Sequence, residues 1–278
     1  ASPANNTRAA ANGPSQGITL RCTPALSTTG PGPPQPPLQW GMRGAVFLDR
    51  DDTLIECRRL TPPPPPARPG DIVDPASVRL LPGVAMALRR LHDLGLALVV
   101  VSNQGVVARG GAALEQVEAI NQRLRDEILA AGGPVLDGVY VCPYHPNGNV
   151  PPYAREHPWR KPGPGMLLAA AHELGLDLAR SWLVGDADRD IDAGVAAGLP
   201  PASCLRVGED SGSLWDLAAA ADLIALALGG PQLVRGEEVL ELTLEPRSPS
   251  ALEEPRTRAT VVATARSLAE RSGLRLVM

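Results

Sequence analysis

The chain has little aromatic material: Phe, Tyr and Trp make up 3% of its 278 residues, with a single Phe. Ala, Leu and Val must therefore fill the core that a 44% hydrophobic content supports. Cysteine is also sparse. Cys22, Cys57, Cys142 and Cys204 are scattered with no close pair, which argues against a disulfide framework and for reduced thiols in the cytoplasm. No apolar run approaches the roughly 18 residues of a membrane span. The first residues lack the basic-then-apolar order of a secretory leader. Positive charge is not in excess either: the formal net charge is −4 and the pI about 5.6. A basic field for a nucleic-acid backbone is thereby excluded.

What is present changes character along the chain. Residues 1–40 are rich in Ala, Asn, Ser, Thr, Gly and Pro and end in "PGPPQPP", the composition of a disordered tail. A second proline run, "TPPPPPARPG" at 61–70, can be neither helix nor central strand and is expected to be a stiff exposed loop. Between 41 and 230 the pattern is regular. "GAVFL" reads as a buried strand. Helices are expected at 83–95, 114–133, 164–175, 190–198 and 213–229, and strands at 96–102, 138–143, 181–186 and 202–208. Such alternation predicts an α/β fold with a doubly wound parallel sheet. Residues 231–278 are an extension of unassigned role; "EVLELTLEP" is compatible with a short strand and "ATARSLAERSG" with a short helix.

In an open parallel sheet, ligands bind beyond the C-terminal ends of the strands. Here those ends carry Asp49 and Asp51, then Ser102, Asn103 and Gln104, then Asp186, Asp188, Asp190 and Asp192; Arg160 and Lys161 precede a helix. Several carboxylates converging on one edge repel unless a cation sits among them, and hard oxygen ligands select Mg²⁺. Mg²⁺ with a lysine is a usual device for neutralising a phosphoryl group in its transition state. An aspartate at such a centre can attack phosphorus, and a second one two residues on can serve as acid and base.

The segments "DRDDT", "VVVSNQ", "WRKP" and "VGDADRD" resemble, in order, the four motifs of the haloacid dehalogenase superfamily of phosphatases, over roughly residues 44–228. "FLDRDDTL", "SNQGVVARG", "CPYHP" and "RKPGPGM" look like the branch containing histidinol-phosphate and heptose-bisphosphate phosphatases, whose members have little or no cap domain and often a zinc-binding loop. The resemblance implies Asp49 as nucleophile and Asp51 as general acid/base. It implies Mg²⁺ held by Asp49, the Asp51 main-chain carbonyl and Asp186, with Asp190 supporting the metal shell or Lys161. Ser102 and Lys161 would hold phosphoryl oxygens, and Asn103, Arg109 and Arg160 would contact substrate. Asp52 departs from the glycine common in this branch and is taken as tolerated. Asp188 and Asp192 suit a solvated helix start.

The zinc loop is altered. Tyr144 and Trp159 stand at two ligand positions, leaving at most Cys142, His145 and His157 where structural zinc wants four Cys or His donors. Zinc is therefore not expected. The implied substrate is a small sugar phosphate of the heptose bisphosphate type, with histidinol phosphate as the alternative, handled by a cytoplasmic monomer. Three other readings share parts of the pattern. A polynucleotide 3′-phosphatase would need a basic track that is lacking. A signalling receiver would place its acidic pair first and its phospho-acceptor later. A catalytically dead sugar-phosphate binder would not retain every catalytic residue type.

Overall fold

The computed structural model describes residues 42–208, 213–214, 216–225 and 227–228 with their surroundings, and the backbone of 18–24, 226, 240–244 and 274–277. In chain order the elements are β1 (Ile18–Pro24), β2 (Ala45–Leu48), α1 (Val84–Asp93), β3 (Ala97–Asn103), α2 (Val106–Arg109), α3 (Leu114–Ala130), β4 (Gly138–Cys142), α4 (Gly165–Leu174), β5 (Trp182–Gly185), α5 (Asp188–Ala196), β6 (Cys204–Arg206), α6 (Leu217–Ala227), β7 (Leu240–Leu244) and β8 (Leu274–Val277).

Five strands form one sheet in the order β4-β3-β2-β5-β6, and every pairing is parallel. β2 lies at its centre, with Phe47 opposite Val99 on one side and Leu183 on the other. Because side chains alternate across a strand, β2 feeds two cores. Val46 and Leu48 join Leu98, Val100 and Val184 beneath α1, α3 and α6, through Leu88, Leu91, Ile120, Leu124 and Ile224. Ala45 and Phe47 join Val99, Val101 and Leu183 beneath α4 and α5, through Met166, Leu167, Ala170 and Ala193. Strands buried on both faces read as continuous apolar runs, which is why "LALVVV" is legible. The chain moves outward from β2 through β3 to β4, then returns to β5 on the other side. That reversal makes the C-terminal edge of β2 the crevice of the fold.

β1 pairs antiparallel with both β7 and β8 in a separate three-stranded sheet. β7 falls within the stretch compatible with a strand. β1 lies in the segment expected to lack regular structure, and β8 was not anticipated. The helix considered at 263–273 lies outside the described residues. The proline run is largely exposed, as expected, but Ala67 is buried against Val106, Val107 and Ala112. Gly111 makes this approach feasible: a Cβ there would meet the Ala67 backbone nitrogen at 2.8 Å. The loop is therefore seated over α2, beside the crevice. Cys57, Cys142 and Cys204 are free thiols.

Candidate active site

Asp49 follows β2 directly, and its N–H continues the ladder to the Val184 carbonyl at 2.9 Å. It is 4% exposed. Lys161, carried by the loop before α4, is 2% exposed and reaches the same point. Its Nζ lies 2.5 Å from Asp49 Oδ1, 2.7 Å from Asp190 Oδ1 and 2.7 Å from the Val101 carbonyl. Burial opposes the lysine's charge, but Asp49 and Asp190 outweigh it and hold its pKa above the usual value. Lys161 is the single lysine among 26 basic residues.

Asp190 is fully buried in the first turn of α5. Its Oδ2 accepts from the Ala187 N–H at 3.1 Å. Gly185 allows this closeness, since a Cβ there would sit 2.5 Å from the Asp190 Cβ. Asp186, 5% exposed, completes the group. Ligand atoms of Asp49, Asp186 and Asp190 all lie within 4.8 Å of one another. Asp49 Oδ2 and Asp186 Oδ1 are buried acceptors with no hydrogen-bond partner. Two orphan carboxylate oxygens at such a point are costly unless a cation takes them, and an all-oxygen donor set fits a hard divalent ion. Without that ion, burial raises the Asp49 pKa; Lys161 opposes, while Asp190, Asp51 and Asp186 add to the rise, bringing it to about 7. Burial, then Asp190, also raises Asp186.

Asp51 is bound differently. Its Oδ1 accepts from Arg50 Nε at 2.8 Å, and its Oδ2 from Gln104 Nε2 at 2.9 Å and Arg50 Nη2 at 3.3 Å. Gln104 also donates to Ser102 Oγ at 2.8 Å, so the two polar strand ends are linked. Burial would raise the Asp51 pKa, but Arg50, with Gln104 and Cys57, holds it below the usual range. Asp52 has φ 56°, the one positive φ among described non-glycine residues. This accounts for glycine being common there in the resembled branch; Asp tolerates the left-handed region. Its Oδ1 accepts from the Cys57 and Arg58 N–H groups at 2.9 and 3.0 Å, and its Oδ2 lies 3.4 Å from Arg58 Nε. Arg58 Nη2 in turn donates to Asp186 Oδ2 at 2.5 Å. Asp52 is thus a structural brace for a loop that touches the carboxylate cluster.

Of the expected substrate contacts, Asn103 holds the backbone of Lys161. Its Nδ2 donates to the Lys161 carbonyl and its Oδ1 accepts from the Lys161 N–H, both at 3.0 Å. Both polar atoms of its amide are used to position the lysine. Arg109 and Arg160 come together: a Cβ on Gly105 would meet His145, Arg109 and Arg160 side chains at 3.0, 3.1 and 3.4 Å. Asp71, at the end of the proline loop, accepts from Arg109 Nη2 at 2.6 and 2.8 Å. Asp188 is a solvated helix-start residue, paired at 2.9 Å with Arg206, and Asp192 is exposed.

Cys142, His145 and His157 are not brought within ligand distance; among the described residues the aspartate trio is the one such group. His157 instead stacks on Tyr144 at 4.1 Å and 15°, Trp159 packs edge-on to His157 at 6.1 Å, and the Arg155 guanidinium lies 4.7 Å from the Tyr144 centroid. The residues at the altered ligand positions thus close the loop through ring contacts. Arg50, Asn121 and Arg58 complete the surroundings of the acids and were not singled out as site residues in the sequence; Gln104 was placed at the strand ends without a role.

The HAD-hydrolase-like family model matches residues 158–224. The D-glycero-beta-D-manno-heptose-1,7-bisphosphate 7-phosphatase of Yersinia pestis is 36% identical over 185 residues, covering 64% of this chain and 92% of that protein. The chain belongs to the haloacid-dehalogenase-like phosphatases. The phosphatase is also 43% identical to the D-glycero-D-manno-heptose-1,7-bisphosphate 7-phosphatase of Thermosynechococcus vestitus, over 56% of this chain and 76% of that one. Among solved structures it is similar to a putative HAD-like phosphatase from Mesorhizobium loti, with a TM-score of 0.54 and 27% identity over 92% of this chain and 96% of that one. The D,D-heptose 1,7-bisphosphate phosphatase of B. bronchiseptica, complexed with magnesium and phosphate, gives a TM-score of 0.51 and 27% identity over 64% of this chain and 96% of that one.

Proposed function

We propose that the phosphatase hydrolyses the phosphomonoester of a small sugar bisphosphate of the heptose type, through a phosphorylated Asp49 and with Mg²⁺. The observation that carries the reading is Lys161 Nζ between Asp49 and Asp190, beside two orphan carboxylate oxygens on Asp49 and Asp186.

Asp49, Asp186 and the Asp51 main-chain carbonyl would hold the ion, with Asp190 behind them supporting Lys161. When bound, Mg²⁺ supplies positive charge against the phosphoryl oxygens as the transition state forms. Lys161, kept charged by its two aspartates, and Ser102 hold the remaining phosphoryl oxygens. Asp49 attacks phosphorus and becomes an acyl phosphate. Asp51 must enter the first step protonated, against the Arg50 pair that favours its carboxylate in the free site; it gives that proton to the departing sugar oxygen, then takes one from the water that cleaves the acyl phosphate, which returns Asp49 and releases inorganic phosphate.

Arg160 is next to Lys161 in the chain and lies with Arg109 and His145 around Gly105; Arg109 is already paired with Asp71, so Arg160 is the cation proposed to face a second phosphate. Guanidinium groups suit a second phosphate, and they disfavour the cationic end of histidinol phosphate. The names of the similar proteins from Yersinia pestis and Thermosynechococcus vestitus support the same choice. In this reading residues 41–230 carry the catalysis, 1–40 and 231–278 are accessory, and the enzyme acts as a cytoplasmic monomer. The test is kcat/KM for heptose 1,7-bisphosphate, heptose monophosphate and histidinol phosphate. The bisphosphate is expected to be best; histidinol phosphate being best would refute the substrate assignment.

A further inference from the structure

Arg50 is an arginine between two site aspartates, and it points away from solvent. It is fully enclosed and is first among the largest completely buried side chains. Its guanidinium forks onto one carboxylate, that of Asp51, through Nε at 2.8 Å and Nη2 at 3.3 Å. The remaining arm, Nη1, donates to Asn121 Oδ1 at 2.9 Å. Asn121 is itself 0% exposed and sits 71 residues away on α3, among Val117, Ile120 and Leu124. A buried guanidinium is tolerated only when paired, and its loss of a partner is strongly destabilising. Asp51 is about a quarter exposed, so it alone of the three residues faces the crevice.

Resting on the reading of Asp51 as acid and base, we infer that Arg50 is the positioning residue for that acid/base and that Asn121 fixes Arg50 from the core. The fork leaves the Asp51 carboxylate one plane and one direction. Gln104 bonds to the same carboxylate and to Ser102 at 2.9 and 2.8 Å, which ties that direction to the phosphoryl-binding edge. Loose positioning of a catalytic group lowers turnover without changing how substrate binds. Lysine at position 50 keeps the charge and lacks the fork. Alanine at 121 removes the anchor and touches neither Asp51 nor substrate.

The experiment is a double-mutant cycle on the full chain with saturating Mg²⁺ and heptose 1,7-bisphosphate. Asp51→Asn alone should lower kcat at least about 100-fold, the lower end of what acid–base catalysis contributes. Arg50→Lys and Asn121→Ala should each lower kcat about tenfold with KM unchanged within about twofold. In the Asp51→Asn background the same two changes should alter the residual rate by less than about twofold. A merely structural role would lower the rate equally in both backgrounds, and that result, or losses appearing in KM, overturns the inference. If Asp51→Asn leaves kcat intact, the acid/base assignment itself fails, and the two failures are distinguishable. Thermal unfolding of each variant identifies one that does not fold; Asn121→Ala then carries the test if Arg50→Lys is lost.

Discussion

Lys161 Nζ lies 2.5 Å from Asp49 Oδ1, and both side chains are almost completely buried. A lone buried ion pair is weak evidence of stability, because desolvation opposes what the attraction gives. This pair has further acidic neighbours in Asp190 and Asp186, so three carboxylates face Lys161 and the Arg58 that reaches Asp186. The arrangement is a poor structural device and a good receptacle for a cation and a phosphoryl group.

The first prediction concerns metal. Removal of divalent ions with EDTA should abolish phosphate release, and added Mg²⁺ should restore it. Asp186→Ala should raise the Mg²⁺ concentration needed for half-maximal activity at least about tenfold, since it removes one of the few direct protein ligands such a site provides. Calorimetric Mg²⁺ titration should show the same weakening. Full activity in EDTA would contradict the metal assignment.

The second concerns pH. In the metal-free site Asp49 is raised from 3.8 to about 7. Between those values the native state keeps a proton that the unfolded chain has released, so stability falls as pH rises. The metal-free protein should therefore lose thermal stability from pH 5 to pH 8. Mg²⁺ must displace that proton, so its apparent affinity should rise with pH below about 7 and level off above it. Calorimetric melting and Mg²⁺ titrations at several pH values check both slopes; a flat Mg²⁺ affinity would contradict the protonated metal-free state.

Much of this was legible in the sequence, for physical reasons. Strands buried on both faces must be apolar throughout, so β3 and β5 stood out, and the acids that follow β2 and β5 marked the crevice. β1 and β8 were not legible because their pairing partners are about two hundred residues or more away in sequence. The Arg50–Asp51–Asn121 assembly was hidden in the same way: Arg50 reads as one more charge in an acidic stretch until α3 is folded beside it. One signal existed, since Asn121 interrupts the buried stripe of Val117, Ile120, Leu124 and Ile128. A polar residue at such a position requires a partner. The single lysine was a second signal, in a chain that otherwise uses arginine for every basic side chain.

The third prediction is about substrate preference. Arg160→Ala should lower kcat/KM for the bisphosphate at least about tenfold, the loss of one charge-assisted phosphate contact. The monophosphate should be affected much less. An unchanged ratio between the two would remove Arg160 from the second phosphate.

The fourth concerns the loop around Tyr144 and His157, stacked at 4.1 Å. Protein purified without added metal should contain no stoichiometric zinc by elemental analysis. Tyr144→Ala should increase proteolytic cleavage between residues 145 and 157, because it removes both the stack and the Arg155 contact. One zinc per chain would contradict this account of the loop.

The central claim is that Asp49 carries the phosphoryl group in transit. Rapid acid quench of a reaction with ³²P-labelled heptose 1,7-bisphosphate and Mg²⁺, followed by peptide mapping, tests it most directly. The account predicts hydroxylamine-labile label on the peptide containing Asp49, more of it in Asp51→Asn, and none in Asp49→Asn, which should also fail to turn over. Label on another residue, or an Asp49→Asn enzyme retaining more than about a few per cent of the wild-type rate, would contradict it.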